Sequence, residues 1–114
     1  MVGLLDTLGV DPNGPVFYNG VYHLFMQYNP WQPVWGNMSW YHVVSDNLVA
    51  WTQVGVAMTN DEWYDQNGCF TGSITVLPGS GSGNGPVLIY TCVGNDGGQR
   101  LCRARPANLS DPYL

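Results

Sequence analysis

Lysine is absent from this chain of 114 residues, and three arginines stand against eight carboxylates for a net charge of −5. A surface so poor in cations cannot release counterions from a phosphate backbone, so nucleic acid is not expected as a partner. Charged residues of either sign make up only 10% of the chain, against about 25% in a typical soluble domain. No stretch approaches the roughly 18 consecutive apolar residues of a membrane-spanning helix, and no membrane partner is expected. The opening MVGLLDTLGV has no positive n-region and Asp6 interrupts it, which makes it a poor signal peptide. Cysteine is scarce as well. Cys69, Cys92 and Cys102 are odd in number and lack CxxC spacing, indicating neither a zinc site nor a complete disulfide framework, although Cys92 and Cys102 can meet across a hairpin. His23 and His42 share no metal-like spacing with the acids. Each is expected to fill a structural role, and no metal or other cofactor is called for.

What the chain does have is 15 glycines, 8 prolines and 5 tryptophans, the profile of a turn-rich, aromatic-rich all-β protein. PVFYNGVYHLFMQYNP holds two β-prone runs around Asn19-Gly20, the pair best suited to a type I′ hairpin turn. In the second run Tyr22, Leu24, Met26 and Tyr28 share one face and His23, Phe25 and Gln27 the other, because strand side chains alternate. MSWYHVVS and LVAWTQVGVAM read as the next strands, with Asp46-Asn47 as their turn. FTGSITVL follows, then the loop PGSGSGNGP, then VLIYTCV and QRLCRARPA as a hairpin around GNDGG. No window of 11 or more residues carries a helical period. Short strands recurring with turn signals between them fit a sandwich, a barrel or propeller blades, and periodicity does not choose among these. Trp40, Trp51 and Trp63 are expected to serve packing.

Residues 11–15, DPNGP, suit a type I turn on their own: Asp first, Pro presetting φ, Asn tolerating the third place and Gly the fourth. Context adds to that reading. The blocks DPNGPVFYNGVYHLFMQYNP, WGNMSW, SDNLVAW and WYDQNGCFTGS, followed by VLIYT, stand in an order and spacing that resemble glycoside hydrolase family 32, the invertases and plant fructosyltransferases. The resemblance covers about Asp11 to Leu114 and implies a five-bladed β-propeller, of which this chain holds about the first two blades as antiparallel sheets. Residues 1–10 read as a divergent N-terminal segment and 11–114 as an N-terminal fragment of the propeller.

The resemblance also implies chemistry. Retaining glycosidases use two carboxyl groups about 5 to 5.5 Å apart, one attacking the anomeric carbon and one protonating the leaving oxygen. It assigns the nucleophile to Asp11, which would form a fructosyl-enzyme intermediate from sucrose or a related β-fructofuranoside, resolved by water or by a second sugar. Gln27 becomes a hydrogen-bond partner of the fructose hydroxyls, a role suited to its paired donor and acceptor; without the family it is an ordinary polar residue on an edge strand. Asn13 serves the turn or the sugar, chiefly bracing the loop around Asp11. Trp35 offers a flat apolar face to the sugar, and Phe70 and Thr71 match a pocket segment, with Thr in place of the usual Ser. Phe70 reads equally well as a hydrophobic residue opening a strand. Asp65 is expected to cap the loop before it.

Two departures bear on activity. The family's remaining carboxylates lie in RDP and EC segments, neither of which occurs here, and Leu8, Gly9 and Val10 replace the Asn and nearby aromatic that usually precede the nucleophile. The chain therefore looks truncated and is expected to be inactive alone. The partner expected is a small sugar, sucrose or fructan, and the location implied by relatives is the vacuole or the cell exterior. The alternative is a non-catalytic fructoside-binding remnant or regulatory relative.

Overall fold

A computed structural model of the chain describes residues 12–29, 38–78 and 85–106. It contains two antiparallel sheets, and no helix among the described residues. The first sheet is a meander of four strands in the order β1-β2-β3-β4, where β1 is Pro12–Tyr18, β2 Val21–Tyr28, β3 Ser39–Ser45 and β4 Thr52–Met58. The second has the order β5-β6-β7, where β5 is Gly68–Leu77, β6 Gly85–Val93 and β7 Gln99–Ala104.

Local chemistry explains most boundaries. Asn19 and Gly20 take φ of 51° and 78°, the left-handed pair a type I′ turn requires. After β3 the chain is held by side chains. Ser45 Oγ accepts from the Asn47 and Leu48 amides, and Asn47 Oδ1 accepts from those of Val49 and Ala50. These bonds occupy the backbone that the LVAW run would otherwise offer to a ladder, so β4 begins at Thr52 rather than Leu48.

The DPNGP stretch departs from its turn reading. Pro12 and Asn13 are already in β1, paired with Met26 and Phe25, and the register shifts between Asn13 and Val16. Gly14, at φ 59°, absorbs that irregularity, as a bulge glycine does. A Cβ there would stand 3.1 Å from the Trp40 ring. Pro12 is tolerated because it opens a strand on the sheet's edge.

The core lies between the sheets. Phe25 and Trp40 from the first meet Cys69, Leu88, Tyr90 and Cys92 from the second, with Trp40 5.5 Å from Phe25 and 6.3 Å from Tyr90 between ring centroids. These are the inward positions of strands that alternate. Gly72 lets β5 and β6 approach, since a Cβ there would fall 2.0 Å from the Ile89 carbonyl oxygen. A disulfide joins Cys92 to Cys102 across the β6–β7 hairpin, with Cα atoms 5.9 Å apart. The odd cysteine count had argued against a complete framework; one cross-link forms and Cys69 is left as a buried thiol.

Candidate active site

The last turn of β2 and the first residues of β5 meet at one end of the sheets, and Gln27 joins them. It is fully buried, and β2 lies between β1 and β3, so the edge-strand reading does not hold. Its amide nitrogen donates to the Cys69 carbonyl at 2.9 Å and its oxygen accepts from the Thr71 N–H at 2.7 Å; this is the orientation in which both atoms meet complementary partners. The Thr71 hydroxyl lies 3.3 Å from the same amide. The sequence pattern identified Gln27 as polar and near a strand end, but not that a second sheet would supply its partners.

Asn13 sits beside this junction. Its pairing with Phe25 puts it two positions along from Gln27 on one face, a diagonal separation of about 7–8 Å in an antiparallel pair. The side chain is 5% exposed, and neither Oδ1 nor Nδ2 has a hydrogen-bond partner. Bracing of the loop around Asp11 by this amide is therefore not what the structure shows. A buried primary amide without partners pays a desolvation penalty of about 1–3 kcal/mol, and such a group in a native fold calls for an explanation.

Phe70 is the third residue of β5, not its opening one. Its carbonyl accepts from Trp40 Nε1 at 3.2 Å. Gly68 makes room for the ring: it has φ of 143°, and a Cβ there would lie 2.5 Å from Phe70 Cε1. Thus Gln27, Phe70 and Thr71 come together, with Asn13 on the neighbouring strand. Asp11 and Trp35 lie outside the described residues.

Beneath β5, Asp65 is 3% exposed. Its Oδ1 accepts from the Glu62 N–H at 3.0 Å, the loop-capping role expected of it, and its Oδ2 accepts from the Tyr90 hydroxyl at 3.2 Å and the Cys69 thiol at 3.5 Å. Burial, and then the Asp65 charge, pushes the Cys69 thiol well up. Burial likewise raises the Tyr90 phenol, followed by its Cys69 and Asp65 neighbours. Both stay protonated and donate, so Cys69 is a packing residue and not a nucleophile.

Trp40 is fully buried, as expected, whereas Trp63 is 59% exposed and does not serve the core. The apolar hollow between the sheets, walled by Phe25, Trp40, Met58, Ile74 and Leu88, has no carboxylate in its lining and offers nothing to activate a glycosidic bond.

The match to known proteins agrees with this architecture. Residues 6–111 match the model of the glycosyl hydrolases family 32 N-terminal domain. The chain is 51% identical over 104 residues to the vacuolar acid beta-fructofuranosidase 1 of a Rosa hybrid cultivar, covering 91% of this chain and 17% of that protein. It is 52% identical over 105 residues to the sucrose:sucrose 1-fructosyltransferase of Festuca arundinacea, covering 91% of this chain and 15% of that one. Among solved structures, fructan 1-exohydrolase IIa from Cichorium intybus superposes with a TM-score of 0.82 at 42% identity, over 90% of this chain and 19% of that enzyme. The chain thus spans less than a fifth of the length of these relatives. The two packed meanders are part of a β-propeller, and the chain belongs to glycoside hydrolase family 32.

Proposed function

We propose that this chain is the nucleophile-bearing part of a retaining enzyme that cleaves or transfers the β-fructofuranosyl group of sucrose and related fructosides. Asp11 attacks the anomeric carbon, and the fructosyl ester is resolved by water or a second sugar. Gln27, Phe70 and Thr71, with Trp35, hold the fructosyl ring, and Asn13 bonds its hydroxyls. The observation that carries the reading is Asn13, whose buried amide has no partner on either atom. A sugar hydroxyl is both donor and acceptor and satisfies such an amide. Relatives named for beta-fructofuranosidase and fructosyltransferase activity support the substrate class. The vacuole or cell exterior is the proposed location; the Cys92–Cys102 disulfide suits an oxidising compartment, and one relative is named vacuolar.

The chain contains no RDP or EC segment, and on this reading an N-terminal fragment has no residue to protonate a sugar leaving group. β-Fructofuranosyl fluoride bypasses that need, because fluoride departs without a proton. The purified chain is expected to accumulate a covalent fructosyl adduct on Asp11, seen by peptide mass spectrometry and absent from Asp11→Asn. No adduct alongside intact fructose binding would favour the non-catalytic remnant instead.

A further inference from the structure

Trp63 is an aromatic exposed to solvent and fixed by the bonding around it. Its ring is 59% exposed, yet its loop is fixed. The Trp63 carbonyl accepts from the Asn95 N–H at 3.0 Å, and the buried Asp65 caps the loop through the Glu62 amide. The ring is fixed as well. The Arg100 guanidinium lies over it, 5.1 Å from the centroid, and Tyr64 meets it edge-on at 5.7 Å. Arg100 in turn is clamped by both oxygens of Asp96, at 3.1 and 2.6 Å, and by the Gly98 carbonyl at 3.1 Å. A tryptophan so constrained loses little conformational freedom when something stacks on it, which is the property of a good binding platform.

The surroundings limit what stacks there. The charge of Arg100 is already matched by Asp96, and Asp61 and Glu62 stand exposed next to Trp63. An anionic ligand finds Arg100 already paired and two repelling carboxylates beside the ring. A neutral ligand with C–H groups on one face and hydroxyls at its rim suits the ring and its polar border. The strand order fixes the platform's place. Trp63 is in the β4–β5 loop and Arg100 follows the β6–β7 turn. Both lie at the end of the sheets where β2 finishes at Gln27 and Tyr28 and β5 starts toward Phe70 and Thr71.

We infer that Trp63, steadied by Arg100, is an outer sugar-stacking subsite, which takes a unit of a neutral fructoside oligosaccharide beyond the one in the fructosyl pocket. The inference rests on the proposed fructoside reading for the identity of the sugar. Its test is a titration of the 114-residue chain with fructose and with 1-kestose, followed by tryptophan fluorescence and by the indole N–H signals in NMR. 1-Kestose is expected to bind about fivefold more tightly than fructose, the scale of one added aromatic contact, and to shift the Trp63 indole signal where fructose does not. Trp63→Ala removes an exposed ring and leaves the fold intact; it should erase the fivefold difference and keep fructose affinity. Arg100→Ala, which frees the ring, should lose part of the difference. Equal affinities for the two sugars, an unmoved Trp63 signal, or a difference surviving Trp63→Ala would overturn the inference. If fructose fails to bind while 1-kestose still shifts Trp63 in a Trp63-dependent way, the platform stands and the fructosyl pocket falls.

Discussion

His23 Nδ1 and His42 Nε2 lie 2.9 Å apart, within hydrogen-bonding distance, in the buried face of the first sheet. Both side chains are almost fully buried, and His42 stacks on Phe25 at 4.3 Å with its plane nearly parallel. One ring donates and the other accepts, so neither needs to be charged. Burial lowers both, and for His42, with His23 as a second cause, the fall reaches about 4.

This arrangement makes the fold sensitive to mild acid. In the unfolded chain His42 binds a proton near its ordinary value of 6.5, whereas in the folded chain it stays neutral to about 4. Below 6.5 the unfolded state therefore takes up more protons, and stability falls as pH drops through that window. The limiting slope is about 1.4 kcal/mol per pH unit for each such histidine. The urea midpoint should be lower at pH 5 than at pH 7, and a His23→Phe/His42→Phe variant should flatten the change. An identical midpoint for the native chain at both values would show that the pair is not buried neutral.

On the proposed reading, Asn13 sets function against stability. Its unpartnered buried amide destabilises the empty protein, and Asn13→Leu, of similar volume, should raise stability by about 1 kcal/mol. The same change should abolish fructose binding. Loss of stability of 2 kcal/mol or more on the scale of a broken buried bond would mean that the amide is already satisfied and the pocket reading is unnecessary.

Gln27 carries the opposite expectation. Replacement by Met keeps the length of the side chain but leaves the Cys69 carbonyl and Thr71 N–H without their partner between the sheets. Two unmade bonds at a buried position cost about 2–4 kcal/mol, so Gln27→Met should lower the unfolding midpoint clearly, and Gln27→Glu, which buries a charge, should lower it further. A neutral effect of Gln27→Met would show that the junction is open to water.

Local chemistry made the hairpins legible and long-range chemistry did not show. Asn19-Gly20 announces a turn because its dihedrals are intrinsic to those residues, and the face shared by His23, Phe25 and Gln27 follows from the two-residue period of a strand. The error at residues 48–51 came from side chains, since Ser45 and Asn47 capture the amides that a β-prone run was expected to pair. Pro12 and Asn13 read as turn formers, but their pairing with Met26 and Phe25 depends on β2 being present. Trp63 was misjudged because composition gives the tendency of tryptophan to be buried and not the Arg100 stack that holds this one outside. At the site, residue identities followed from family motifs, while the inter-sheet bonding of Gln27 belongs to a contact between residues far apart in the chain.

The cysteines give a test of the second sheet. Cys92 lies opposite Cys69 on β5 and opposite Arg100 on β7, yet the bond it makes is to Cys102. Burial and Asp65 keep the Cys69 thiol protonated, so it cannot attack the neighbouring disulfide as a thiolate. Under denaturing, non-reducing conditions one thiol per chain should react with a thiol reagent, and peptide mapping should place it on Cys69. The Cys92–Cys102 link closes a short loop, for which chain-entropy estimates give about 2–3 kcal/mol; Cys102→Ser should destabilise by that order. Asp65→Asn removes the charge, a smaller cause than burial, that holds Cys69 neutral, and Cys69–Cys92 isomers should then appear slowly on standing at pH 8. Three reactive thiols in the native sequence would rule out the cross-link, and unchanged pairing in Asp65→Asn would show that burial alone protects it.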